Sequence, residues 1–378
     1  MKTNGRRKRT ERATDEVGEL AYLAGPKNIE FREYEVPKPD PSAVVTEVVR
    51  TNVCGSELHV WRGDHPLKDC VLGHETIVRV SELGDRVETD SAGQPIKEGD
   101  LVAPVYFQTC QSCSHCRRGE FYRCENDYEH AGKSPEVWPH FHAPWGTHYY
   151  IYPDQHFYKL PTELESVPSV AAAANCALSQ VMFGLKEIGL EYGDSVVVQG
   201  AGGLGLNATA YAAERGAKPI VIDGVDGRLE QAPRFGAEHV IDFREYDTVE
   251  ARAERVRELT GDGADIGVEV AGVPEAFTEG IELVRKGGDY LEMGNVRPGH
   301  SVEFDPGRLT RKSIDVTTAV EYDPWILHEA LAFLADTVDT YPYEELLDAE
   351  YPLSDVQCAL EDSESRNVTR ATLVPSNK

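Results

Sequence analysis

Between residues 195 and 317, short apolar runs alternate with longer amphipathic ones. Ser195-Val-Val-Val-Gln199 carries no charge and reads as a strand buried on both faces. A helical run follows over 206–215, and a second apolar run, Ile220-Val221-Ile222, ends at Asp223. Further strands are predicted at 239–242, 266–270, 290–293 and 314–317, and helices at 227–235, 250–260 and 274–285. Pro233 falls inside the first of these helices and predicts a kink or an early end. Strands alternating with helices in this order predict a doubly wound parallel sheet. Residues 22–165 are patterned differently, with short strand candidates at 43–49, 76–81 and 98–102 set among turns. They predict a mostly β domain. A helix candidate at 325–335 and the stretch 354–362 return to it, so the α/β domain is inserted between its two pieces. The expected boundaries are a disordered tail over 1–20, a β domain over 21–178, the α/β domain over 179–317 and the return over 318–378.

Composition narrows the function classes. The 378 residues carry 65 acidic and 38 basic side chains, a net charge of −27, and 13 of the 38 bases are Lys. With 40% hydrophobic residues the chain can bury sizeable cores, which excludes a largely disordered protein. So negative a field repels phosphates, which excludes general nucleic-acid binding. No apolar run approaches the length of a membrane span. The basic start, residues 1–9, has no apolar stretch after it and reads as a tail, not a secretory signal. Dense surface carboxylate with little Lys reads as adaptation to a salty cytoplasm, where salt screens the self-repulsion.

The eight cysteines divide by spacing. Cys110, Cys113, Cys116 and Cys124 form a C-x2-C-x2-C-x7-C run within a lobe at about 108–126. A loop so spaced can turn four thiolates onto one tetrahedral Zn²⁺ with no position left open, a structural site. An Fe–S cluster fits the ligand type but is disfavoured, and no His pair follows to make a DNA-reading finger. Cys54, His74 and Cys176 are far apart, yet as a Cys-His-Cys set they supply the three protein ligands of a catalytic zinc. Cys70 and Cys358 have no partner pattern and read as core thiols. The histidines and tryptophans of 128–152 read as a solvent-facing loop leading into an aromatic strand, in preference to a third metal site.

Gly200-Ala-Gly-Gly-Leu-Gly205 lies between a predicted strand and a predicted helix, and Asp223 ends the next strand. Strand, glycines, helix, strand and terminal acid in this order form a dinucleotide-binding pattern. Gly200 permits the tight turn and Gly205 permits close helix–strand packing. Gly202, with Gly203 and Leu204, lets a pyrophosphate reach the helix N-terminus. Asp223 would accept from the adenosine ribose hydroxyls and repel a 2′-phosphate, which favours NAD. Arg228 nearby could assist that phosphate, so NADP stays open.

Cys54-Gly-Ser-Glu-Leu-His59, Gly73-His-Glu75, the four-cysteine lobe, Cys176 and the glycine loop follow one another in the order of the zinc-dependent medium-chain alcohol dehydrogenases. The chain resembles that family from about residue 20 onward. The resemblance implies an α/β protein, a GroES-like mostly β catalytic domain plus a Rossmann doubly wound parallel sheet domain, with two zinc ions per chain. It implies that Cys54, His74 and Cys176 bind catalytic zinc and that Glu75 can approach the metal. It implies that Ser56 takes the alcohol proton, that His59 relays it outward, and that Glu57 orients the metal-binding His. The family commonly has the shorter Asp where Glu57 stands. The expected partners are a small-molecule alcohol or carbonyl substrate and a second copy of the chain, as dimer or tetramer, with no nucleic acid and no membrane. The alternatives are an NADP-linked sugar dehydrogenase or carbonyl reductase of the same fold, and a non-catalytic dehydrogenase-like protein.

Overall fold

The computed structural model describes residues 13–130, 132–295 and 299–375. The chain forms two compact units. The first begins with β1 (Ala13–Gly25), β2 (Asn28–Pro37) and β3 (Val44–Asn52), then α1 (Gly55–Arg62), β4 (Cys70–Val71) and β5 (Glu75–Leu83). It continues through β6 (Leu101–Pro104), β7 (His148–Ile151), β8 (Phe157–Lys159) and α2 (Pro168–Ala172). The second holds α3 (Ala177–Glu187), β9 (Ser195–Gln199), α4 (Gly203–Glu214), β10 (Lys218–Asp223), α5 (Asp226–Gln231), β11 (His239–Asp242), α6 (Val249–Thr260) and β12 (Ala264–Glu269). It closes with α7 (Pro274–Leu283), β13 (Val284–Glu292), α8 (Gly307–Lys312) and β14 (Asp315–Thr318). The chain then returns to the first unit as α9 (Trp325–Thr337), β15 (Ala349–Pro352), α10 (Val356–Glu364) and β16 (Ala371–Val374).

In the second unit, six strands pair in the order β11-β10-β9-β12-β13-β14, every pair parallel. That order reverses beside β9, as a doubly wound sheet requires. All of β9 is buried, which explains its uninterrupted apolar sequence. Val197, Ile220, Ile222 and Ile241 of the sheet pack against Ala253 and Val256 of α6. Pro233 acts as expected. The α-helix α5 stops at Gln231, and a 3-10 turn over Ala232–Phe235 carries the proline to the left-handed Gly236. The predicted helix 274–285 ends two residues early, because Val284 and Arg285 belong to β13.

The first unit is mostly antiparallel β. A three-stranded sheet runs β2-β1-β4, and a larger one runs β15-β16-β3-β5-β6-β8, with β7 paired to β3. One of its cores joins Leu20, Leu23, Trp61, Phe141 and Trp145 to Leu353, Leu360 and Leu373, so the C-terminal return supplies part of the same core.

Four expectations need correction. Residues 13–20, read as the end of a disordered tail, are the first part of β1. Its acidic stretch hid a strand whose ladder is completed by β2. Residues 1–12 lie outside the described residues. The nucleotide unit spans 177–322 and also takes 339–342, where Tyr341 stacks on Phe235 and donates to Glu214 Oε1 at 2.8 Å. Cys358 is exposed, because Val356, Ala359 and Leu360 form the inner face of α10 and residue 358 falls outside it. Within 128–152, His140, His142, Trp145 and His148 are buried, not solvent-facing. His140 stacks on Tyr34 at 4.3 Å, and His142 meets the Tyr152 hydroxyl at 2.6 Å and the Val137 carbonyl at 2.9 Å. Burial pushes His142 down to about 4.

Candidate active site

Three segments of the first unit meet at Cys54. The residue is the N-cap of α1, and its amide donates to Glu57 Oε2 at 2.8 Å in a capping box. The other carboxylate oxygen of Glu57 lies 3.0 Å from His74 Nδ1. With Nδ1 held there, His74 offers Nε2. Cys176 enters from the short helix 173–175. The side chain of the preceding Asn175 donates to the carbonyls of Thr76 and Pro104, which fixes Cys176 beside β5 and β6. One donor atom from each of Cys54, His74, Glu75 and Cys176 lies within 4.8 Å of the others.

The charges in this buried group are tuned against one another. A hydrogen bond from Cys176 draws Cys54 well below the ordinary thiol range, while Cys54 and burial push Cys176 well above it. Burial opposes charge on His74, but the Glu57 carboxylate and the Cys54 thiolate outweigh it and raise His74 well above its usual value. Burial lifts Glu75 to about 7 even though Arg370 opposes that rise. Arg370 Nη1 contacts both Glu75 oxygens, at 2.9 and 2.7 Å. Two sulfurs, an imidazole nitrogen and a carboxylate oxygen at this separation match the tetrahedral N/S/O chemistry of Zn²⁺.

The four-cysteine lobe is built by other means. Cys110, Cys113, Cys116 and Cys124 again place their donor atoms within 4.8 Å, and Cys110 Sγ is 4.0 Å from Cys116 Sγ. Tetrahedral sulfurs at the usual Zn–S distance lie about 3.8 Å apart. Backbone amides supply the local field. Cys113 N donates to Cys110 Sγ at 3.3 Å, Cys116 N to Cys113 Sγ at 3.4 Å, and Cys110 N to Cys124 Sγ at 3.3 Å. Hydrogen bonds from Ser112 and Asn126 pull Cys110 down to about 5, while burial raises Cys116 and Cys124. The lobe is anchored through Asp323 Oδ1, which accepts from the amides of Phe121 and Tyr122, and through Phe121 packed edge-on against Trp325.

In the second unit the glycine loop joins β9 to α4, with Gly202 as N-cap and Gly203 and Leu204 in the first turn. Gly205 admits no side chain, since a Cβ there would stand 1.8 Å from the Gly200 carbonyl oxygen. Asp223 is buried at the end of β10. It accepts from Ala201 N at 2.7 Å, Gly224 N at 2.7 Å and Val225 N at 2.9 Å. Arg228 Nη1 stands 3.6 Å from it.

Residues 40–162 match the alcohol dehydrogenase GroES-like domain, and residues 203–336 match the zinc-binding dehydrogenase domain. The chain belongs to the zinc-binding dehydrogenase family. This dehydrogenase is 33% identical over 351 residues to 5-exo-hydroxycamphor dehydrogenase of Pseudomonas putida, covering 90% of this chain and 94% of that protein. It is 28% identical to sorbitol dehydrogenase of Halalkalibacterium halodurans, over 91% of this chain and 96% of the relative. An alcohol dehydrogenase of Thermotoga maritima has the same fold, with a TM-score of 0.89 at 28% identity, over 96% of this chain and all of that one. The dehydrogenase is therefore an α/β enzyme that acts on CH–OH groups with zinc and a nicotinamide cofactor. Among the described residues, no single helix is long and apolar enough to cross a membrane.

The structure brings Cys54, Glu57, His74, Glu75 and Cys176 together, and separately Cys110, Cys113, Cys116 and Cys124. Ser56 is exposed and His59 half-buried, three residues apart on α1 and so on neighbouring positions of one helix face. Arg370 was missed. It lies 295 residues from Glu75 in sequence and has no motif around it, so only the pairing of β16 with β3 reveals it.

Proposed function

We propose that this chain is an NAD-dependent zinc alcohol or polyol dehydrogenase. The observation that carries the reading is the convergence of Cys54, His74, Glu75 and Cys176 with Glu57 on the far nitrogen of His74. Cys54, His74 and Cys176 would hold the catalytic metal, with Glu75 within reach of it and otherwise paired to Arg370. Zinc supplies Lewis acidity there, lowering the pKa of an alcohol oxygen. The nicotinamide supplies the hydride acceptor. Glu57 fixes the tautomer and direction of His74. Ser56 takes the alcohol proton, and His59, one turn further along α1, passes it outward. The cysteines of the lobe hold a second, structural zinc.

Asp223 supports NAD. A carboxylate offers about four lone-pair directions, and three backbone amides occupy three of them. The remaining direction suits a ribose hydroxyl, and the negative charge disfavours a 2′-phosphate. Gly200, Gly202, Gly203, Leu204 and Gly205 receive the pyrophosphate. Arg228 favours the second reading, an NADP-linked enzyme of the same fold, because it could meet that phosphate.

The relatives named for hydroxycamphor and for sorbitol support alcohols and polyols as the first panel to try. The excess of 65 acidic over 38 basic side chains supports work in a salt-rich cytoplasm. The test is turnover on that panel with NAD and with NADP across a KCl series. The reading expects NAD to be preferred and activity to rise with KCl. At least tenfold better turnover with NADP would overturn the cofactor choice, and full stability in low salt would overturn the halophilic one. Assembly as a homodimer or homotetramer belongs to the same reading, and light scattering tests it.

A further inference from the structure

Glu16, Glu47 and His148 form a third group able to hold a metal, with one donor atom of each within 4.8 Å of the others. They come from three strands. Glu47 and His148 are direct partners across the β3–β7 ladder. Glu16 arrives from β1, where the register with β2 shifts between Ala13 and Val17 and turns the chain out of the regular pleat. The ring of His148 lies hard against β1 because Gly18 has no side chain. A Cβ there would stand 2.7 Å from His148 Nδ1 and 2.9 Å from Thr147 Oγ1.

The Thr147 hydroxyl holds the His148 ring at Nδ1. The Thr147 hydroxyl has one hydrogen and two lone pairs. It donates to the Glu19 carbonyl at 3.3 Å and accepts from the Glu19 amide at 3.0 Å. The Thr147 oxygen also lies 2.9 Å from His148 Nδ1. A neutral imidazole with its proton on Nδ1 presents Nε2 as a bare lone pair. This side chain is 96% buried, and Nε2 makes no aligned hydrogen bond, though it lies 3.3 Å from Glu16 Oε1. A proton or a metal cation at Nε2 offsets the charge of the carboxylates that face it. The Thr147 contact is also the kind of outer hydrogen bond that orients a metal-binding histidine.

We infer that Glu16, Glu47 and His148 bind a divalent transition-metal cation of the zinc class, separate from the Cys54 and Cys110 groups. One imidazole nitrogen and two carboxylates suit such an ion. Glu16 is 58% exposed, so the open side of the site faces solvent and the ion keeps water there. The ion ties the irregular start of β1 to β3 and β7. The inference does not depend on the choice of substrate or nucleotide.

The test uses the holoenzyme, dialysed so that only tightly held metal remains, then titrated calorimetrically with Zn²⁺. Wild type should take up one further equivalent and gain thermal stability as it does so. Glu16→Gln, at an exposed position that leaves the fold intact, should weaken that step at least tenfold and remove the gain, with turnover unchanged. Glu47→Gln should do the same. No further uptake by wild type, or the same uptake by wild type and both variants, would overturn the assignment.

Discussion

The two cysteine-bearing groups use the same element of chemistry in opposite ways. The lobe draws its four sulfurs from fifteen consecutive residues and stabilises them with backbone amides. The Cys54 group draws its donors from three distant segments and balances them with charged side chains, Glu57 on His74 and Arg370 on Glu75. A backbone amide donates to sulfur wherever the loop folds, so the sulfurs of the lobe find their donors locally, while Asp323 and Trp325 anchor the loop as a whole. A buried imidazole and carboxylate need partners in specific places, and those partners come from α1 and from Arg370, just before β16. The first arrangement suits the closed, structural metal site proposed for it. The second leaves charge that an incoming ligand can rebalance, as an open metal site requires.

The largest expected effect separates the two in turnover. Cys176→Ser should cost about 10³-fold in kcat or more, since the Lewis acidity it anchors is worth several kcal/mol of transition-state stabilisation. The far-ultraviolet circular dichroism should stay that of the wild type. Unchanged turnover would put the chemistry elsewhere. Next comes Arg370→Gln, which leaves a buried carboxylate without its cation. Breaking such a pair from one side costs about 3–5 kcal/mol, and a denaturant midpoint measures it. A loss within experimental error would mean that Glu75 is neutralised some other way, and the contrast in charge balancing would weaken. Glu57→Gln is the mildest. It keeps an oxygen for the His74 Nδ1–H but removes the negative charge, so metal affinity at this group should fall about tenfold. Competition with a chelator reads that shift, and the metal of the lobe should not move.

The same contrast explains what could be read from the sequence. The convergence of the four lobe cysteines was legible outright, because they lie within one short loop and spacing alone brings them together. So was the parallel sheet, whose central strand β9 is buried throughout and uncharged and whose turns carry Gly and Asp. The set around Cys54 was legible only as scattered residues plus a family resemblance, since nothing local draws Cys176 toward His74. Arg370 was illegible for the same reason. The start of β1 was hidden because Asp15 and Glu16 gave it the composition of a tail, and the fate of Cys358 turned on a helix phase that one residue decides. The buried histidines of 140–148 looked polar in sequence, yet each finds its partners within the fold: Tyr34 and Pro135 for His140, Tyr152 and Val137 for His142, Thr147 for His148.

The central claim is that one group of cysteines holds metal for structure and the other for chemistry. The most direct measurement is the tightly bound zinc content of dialysed wild type, Cys176→Ser and Cys113→Ser, taken with the turnover of each folded fraction. Two zinc ions per chain are expected in the wild type and one in each variant. Turnover should vanish with Cys176→Ser. With Cys113→Ser it should persist in the folded fraction, while thermal stability falls. Retained turnover after loss of the Cys176 metal, or turnover lost equally from both variants at equal folded protein, would contradict the division.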